Sequence, residues 1–231
     1  MTSTRRDIRA VIFDMDGLML DTEPIYKVAW QAASAELGYV LDNAFYARFV
    51  GRPNHDCERD LVEQFGPAFP LERFRARWPE LWKAEAAARG IRRKDGLLEL
   101  LEFLERRGIP IAVATSTEAG DAAFTLRSAE LDGCFRIVVT GDEVAHGKPA
   151  PDIYLEAARR LGIDPAACLA LEDSEAGILA ASRAGMVALL IPDGATPSAT
   201  AVRVASRVLQ SLAEVPGTIP ALHRKRKRPA V

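Results

Sequence analysis

Five short apolar runs, Ala10–Phe13, Ile109–Ala114, Phe135–Val139, Cys168–Leu171 and Val187–Ile191, most constrain what this chain can fold into. They are continuous rather than alternating, the mark of strands buried on both faces of a parallel sheet. Segments of helical period lie between the last four: Glu118–Glu130, Pro151–Leu161 and Glu175–Ala184. A further one, Leu97–Arg107, places Leu97, Leu98, Leu101 and Leu104 on one face and stops at Gly108. Strand and helix in alternation predict a doubly wound, Rossmann-like α/β sheet with right-handed crossovers and helices on both faces.

The first strand breaks this rhythm. The stretch Asp21–Asp95 holds all three tryptophans, Trp30, Trp78 and Trp82, and helix-like segments at Glu23–Leu37 and Leu71–Ala88, but no strand pattern. It reads as an all-helical insert, with its aromatic residues as its own core. The expected division is a sheet core of residues 1–20 and 92–231 and a helical domain of residues 21–91. An insertion after strand one lies over the carboxyl edge of the sheet, where open α/β sheets bind ligands.

The 231 residues are 48% hydrophobic, enough to bury a core. The formal net charge of -2 conceals an asymmetry, because Arg224, Lys225, Arg226, Lys227 and Arg228 crowd the end. Without them 25 basic residues face 32 acidic ones. An acidic body opposes a nucleic-acid-binding function, and the run from about residue 222 reads as a disordered tail. Cys57, Cys134 and Cys168 are odd in number and widely spaced, which fits a reducing, cytoplasmic setting better than disulfides or zinc. Neither a signal peptide nor a membrane span is expected, and the chain is expected as a monomer or weak homodimer.

In such a sheet the residues just after each strand face one crevice. Here they are Asp14, Met15, Asp16 and Gly17; Thr115, Ser116 and Thr117; Thr140, Gly141 and Asp142; Glu172, Asp173 and Ser174. Asp14 and Asp16, two apart, would point to one face of a continuing strand. With Glu172 and Asp173 they make an oxygen-rich cluster suited to a hard divalent cation, Mg²⁺ where phosphate is the substrate. A lone DxD would more often be solvated acid at a loop; here it follows a buried strand and a second acidic pair ends another. Lys148, in a loop stiffened by Pro149 and Pro151, is the candidate fixed cation for a phosphoryl group. Gly141–Lys148 is not a nucleotide-binding P-loop, since five residues separate Gly141 from Gly147 and Pro149 stands where Ser or Thr is required. His55, His146 and His223 have neither metal spacing nor a nucleophile beside them.

Together these residues resemble the haloacid dehalogenase superfamily. Val11-Ile12-Phe13-Asp14-Met15-Asp16-Gly17, followed by Asp21-Thr22-Glu23, is similar to its first motif and Ala112-Val113-Ala114-Thr115-Ser116 to its second. Lys148-Pro149-Ala150-Pro151-Asp152 resembles its third, and Leu171-Glu172-Asp173-Ser174 with Ala176-Gly177 its fourth. The insert resembles the helical cap of the beta-phosphoglucomutase-like branch. The resemblance implies an Mg²⁺-dependent phosphatase of a small phosphorylated metabolite: a sugar phosphate, a phosphoglycolate-like compound or a nucleotide-like phosphomonoester. Asp14 would be the nucleophile and Asp16 the general acid and base, with Thr115, Ser116 and Lys148 on the phosphoryl group. Mg²⁺ would be held by Asp14, the Asp16 carbonyl and Asp173, with Glu172 as ligand or as a partner behind them. Gly51-Arg52-Pro53-Asn54 resembles a cap loop; Arg52 and Asn54 either touch substrate or form an ordinary turn.

Two further readings share these residues. A sugar-phosphate mutase would use the same core, but mutases of this branch carry a histidine where Tyr26 stands, which favours hydrolysis. A module that merely accepts a phosphoryl group is opposed by Asp16 and by the insert. Dehalogenation is opposed by Asp16 as well, and phosphonate hydrolysis lacks a motif around Lys27 or Lys83.

Overall fold

The computed structural model describes residues 7–50, 54–194 and 196–222, with the backbone alone at 54, 55 and 220–222. Arg52, His223 and the cationic run Arg224–Arg228 lie outside the described residues, as does the side chain of Asn54. The chain divides into two compact units, Met1–Leu20 with Arg93–Val231, and Asp21–Arg92.

The first unit is built on β1 (Ala10–Phe13), β4 (Ile111–Ala114), β5 (Val138–Val139), β6 (Cys168–Glu172), β7 (Val187–Leu190) and β8 (Arg207–Val208), in the order β5-β4-β1-β6-β7-β8 with parallel pairing throughout. Order reverses between β1 and β6, the switch point at which the crossovers diverge to opposite faces and leave a crevice. The helices are α5 (Leu97–Arg106), α6 (Ala119–Ser128), α7 (Asp152–Leu161), α8 (Glu175–Arg183), α9 (Ala199–Val204) and α10 (Val215–Leu222). Period-2 alternation sends Ala10 and Ile12, Ala112 and Ala114, Cys168 and Ala170, and Ala188 and Leu190 into one core with Ile153, Tyr154, Ala157 and Ala158 of α7 and Ile178, Ala180 and Ala181 of α8. Most of these side chains are small, so helix and sheet lie close together.

The second unit contains α1 (Glu23–Glu36), α2 (Asn43–Tyr46), α3 (Asn54–Phe65) and α4 (Leu71–Arg89). Its core is aromatic: the Trp30 ring meets Phe74 at 5.1 Å, Phe49 at 5.5 Å and Tyr46 at 6.5 Å, each edge to face.

Two strand expectations need correction, and further strands had no expectation. Ile109–Ala114 pairs only from Ile111, beyond the donorless Pro110. Phe135–Val139 shortens to its last two residues because β5 is an edge strand facing only the end of β4; Phe135 instead packs on Phe13 at 5.9 Å. β8 has no apolar run, and its two residues are exposed. A two-stranded pair, β2 (Leu20–Asp21) with β3 (Arg92–Arg93), was also not expected. The buried stripe of α5 is Leu97, Leu100 and Leu104, whereas Leu98 is 44% exposed. Spacings of three and four from Leu97 win over adjacency because the turn is 3.6 residues. No helix among the described residues is long and apolar enough to cross a membrane.

Candidate active site

β1 ends at Phe13, and the chain then folds over itself: Met19 and Leu20 N–H donate to Met15 O, and Gly17 N–H to Leu20 O. Gly17 takes φ +84°, and a side chain there would overlap Asp173 Oδ2. The expectation that Asp14 and Asp16 lie on a continuing strand therefore fails. Asp14 stays at the strand end against Lys148, while the turn carries Asp16 to Thr117, whose hydroxyl donates to Asp16 Oδ2 at 2.8 Å. Thr115, buried after β4, accepts from Thr117 N–H at 3.1 Å and keeps its own O–H as a donor. Ser116 beside it is exposed.

Lys148 reaches inward from the loop before α7, with a cis bond to Pro149. Its ammonium donates to Asp14 Oδ1, to Ala114 O at 3.0 Å and to Glu172 Oε1 at 2.6 Å, which occupies all three N–H groups. Burial alone would lower its pKa, but Asp14 and Glu172 outweigh this and hold it above the ordinary lysine range.

Glu172 is the last residue of β6, and Asp173 lies in the bend beyond it. Glu172 continues the series Cys168 and Ala170 into the α7–α8 layer and is fully buried. Its Oε1 also accepts from the Tyr154 hydroxyl at 2.6 Å, and its Oε2 accepts from Ser174 Oγ at 3.0 Å. Gly177 of α8 lies directly behind, where a side chain would overlap the carboxylate. Asp173 faces Gly17 instead.

Carboxylate oxygens of Asp14, Glu172 and Asp173 all lie within 4.8 Å of one another. Three carboxylates thus face one ammonium. Burial pushes the Asp14 carboxyl above its ordinary range, Lys148 opposes this, and Glu172 and Asp16 add to it. Asp173 is likewise raised, by burial and then by Asp14 and Glu172. Desolvating an ion costs several kcal/mol, and this excess of negative charge is what a hard divalent cation relieves. The donor set is all oxygen, so it fits Mg²⁺.

Sequence reasoning brought Asp14, Asp16, Thr115, Lys148, Glu172 and Asp173 to one sheet edge, and the structure places them there. It missed Tyr154, which reads as one more face residue of α7; a buried phenol needs a partner, and that was the available signal. It also missed Asp193, which bonds Lys94 at 2.5 Å. Extending the post-strand residues to the fifth run, Ile191-Pro192-Asp193, finds it.

A strand-end aspartate, a buried lysine and an acidic pair at the switch point make an arrangement suited to phosphoryl transfer. The haloacid dehalogenase-like hydrolase family model matches residues 8–185, and the chain belongs to that family. It is 36% identical over 179 residues to a phosphorylated carbohydrates phosphatase of Thermotoga maritima, covering 78% of this chain and 82% of that protein. It is 34% identical to a probable pseudouridine-5'-phosphatase of Drosophila melanogaster, over 90% of this chain and 92% of that one. Its fold matches the crystal structure of a putative beta-phosphoglucomutase from Thermotoga maritima with a TM-score of 0.79 and 30% identity, covering 93% and 99% of the two chains. The protein is a phosphomonoester hydrolase of the haloacid dehalogenase type.

Proposed function

We propose that this enzyme hydrolyses a small phosphorylated metabolite through an aspartyl-phosphate on Asp14, with Mg²⁺ as cofactor. The observation that carries the proposal is the Asp14 carboxylate bonded to Lys148 at the end of β1, with Asp173 beside it. One Asp14 oxygen attacks phosphorus and the bond to the leaving alcohol breaks. Asp16 gives that alcohol a proton, then takes one from the water that cleaves the aspartyl-phosphate and returns Asp14 to its carboxylate. The Thr117 hydroxyl donates to Asp16 Oδ2 and so orients the carboxylate for this transfer. Thr115 O–H and the Ser116 N–H hold phosphoryl oxygens, and Lys148 offsets negative charge on both Asp14 and the phosphoryl group. Asp14, Asp173 and the Asp16 carbonyl would hold Mg²⁺, which when bound offsets the repulsion between carboxylate and phosphate.

In this reading Asp21–Arg92 is a substrate-sorting cap, and Arg52 and Asn54 are its candidate contacts. Sugar phosphates and nucleotide-like phosphomonoesters are the favoured substrate classes, in keeping with the two related phosphatases. Hydrolysis rather than mutase chemistry is supported by Tyr26, whose ring packs against Trp82 at 5.5 Å and Trp78 at 5.8 Å.

The test is phosphate release from a panel of sugar phosphates, pseudouridine 5'-phosphate and p-nitrophenyl phosphate. Asp14→Asn is expected to lower turnover at least about a thousandfold, and EDTA to abolish it until Mg²⁺ is restored. Substantial turnover by Asp14→Asn would remove the aspartyl-phosphate route. Conversion of beta-glucose 1-phosphate and its bisphosphate to glucose 6-phosphate, without free phosphate, would establish the mutase instead.

A further inference from the structure

We propose that Tyr154 is a positioning residue whose hydroxyl fixes the Glu172 carboxylate and, through it, the Lys148 ammonium on Asp14. The face of α7 around Tyr154 is otherwise apolar, with Ile153, Ala157 and Ala158. Phenylalanine would fill the same space without burying a hydroxyl, which costs free energy wherever it lacks a partner. Here the partner is Glu172 Oε1, at 2.6 Å. That oxygen is shared with Lys148 at 2.6 Å, so the phenol and the ammonium divide one acceptor. The other oxygen is held by Ser174 Oγ, and the backbone of Gly177 closes the space behind.

Each carboxylate oxygen therefore has a donor, with Gly177 behind, and Tyr154 is the only neutral donor to Oε1 among the described residues. Lys148 and Tyr154 sit six residues apart on one loop and helix, with the ammonium 5.3 Å from the phenol ring centroid. The register of α7 sets the Tyr154 end, and the loop before the helix sets the Lys148 end. Without the hydroxyl, only the lysine fixes Oε1, and the Glu172 carboxylate no longer holds the ammonium in one geometry on Asp14.

Tyr154→Phe keeps the ring and deletes only the hydroxyl, so folding is checked by a cooperative thermal transition well above the assay temperature. In ¹⁵N-labelled protein the Lys148 ammonium should give an exchange-protected signal, assigned by its loss in Lys148→Arg. Tyr154→Phe should speed its proton exchange at least about tenfold; an unchanged signal overturns the proposal. If Tyr154→Phe does not fold, 3-fluorotyrosine at 154, a stronger donor of nearly the same shape, should slow that exchange, and unchanged exchange again overturns it.

The kinetic arm rests on the phosphatase reading. Tyr154→Phe should lower kcat about tenfold with KM within twofold, and should add less than twofold in a Glu172→Gln background. A parent-like kcat, or an equal fall in both backgrounds, overturns the proposal. If the parent itself hydrolyses no phosphomonoester, the functional reading fails while the ammonium signal still decides the role of Tyr154.

Discussion

The two units of this chain bury different things. In Asp21–Arg92 the core is aromatic and most charges stay at the surface, as in the fork of Arg77 on Glu36 at 2.6 and 2.9 Å, with Glu58 buried but paired to Arg75. In the sheet unit alanines dominate one face of the sheet, and the charges lie inside, with Lys148, Asp14 and Glu172 all but removed from solvent. Large rings fill a helical core by volume. Small side chains instead let α7 and α8 approach the sheet closely enough for Tyr154 and Gly177 to close around one carboxylate. Stability in the first case comes from area, and in the second the same compactness serves a site whose charge is costly to bury.

The comparison breaks most readily in the aromatic core. Trp30→Ala should cost about 3–5 kcal/mol in chemical denaturation, because a buried indole leaves a cavity that its rigid neighbours cannot refill. A loss below about 1 kcal/mol would show that the rings are not the source of stability. In the sheet unit the sensitive change is an addition. Gly177→Ala gains about 1 kcal/mol of helix propensity, yet its methyl group would overlap the Glu172 carboxylate, which has no room to move. The overlap should win, with a net loss of about 1–3 kcal/mol and a fall in kcat. A stabilised, fully active variant would mean that the α8 contact is loose.

Smaller still is the response of the site to pH. Asp14 and Asp173 have raised pKa values in the folded chain, so between the ordinary carboxylate range and their folded values the native state binds more protons than the unfolded one. Metal-free protein should therefore lose stability as pH rises through that window. Mg²⁺ competes with those protons, so the rise in melting temperature on adding it should be larger at about pH 8 than at about pH 5.5. An equal rise at both would place the cation elsewhere. The smallest effect belongs to the surface: Arg77→Ala should shift the melting temperature by under about 2 °C, and less at high salt.

Much of the site could be read before any coordinates, because the sheet rule converts strand ends into neighbours. Asp14, Thr115, Glu172 and Asp173 follow from the apolar runs and what comes after them, and Lys148 from the proline-stiffened loop before a helix. Tyr154 could not be recognised in this way. Its hydroxyl has meaning only through Glu172, and 18 residues separate the two. Edge strands were the weak point in the fold, since Arg207–Val208 pairs on one side only and needs no apolar signature.

The sequence alone determined the parallel sheet, the helical insert and the acids and lysine at the sheet edge, because periodicity and post-strand position are local properties of the chain. Only the tertiary structure decided how that charge is shared. Two adjacent acids converge with Asp14, a turn brings Asp16 to Thr117, and a tyrosine, a serine and a glycine hold Glu172. Those outcomes depend on which helix packs on which face and how closely, distances that no local pattern encodes.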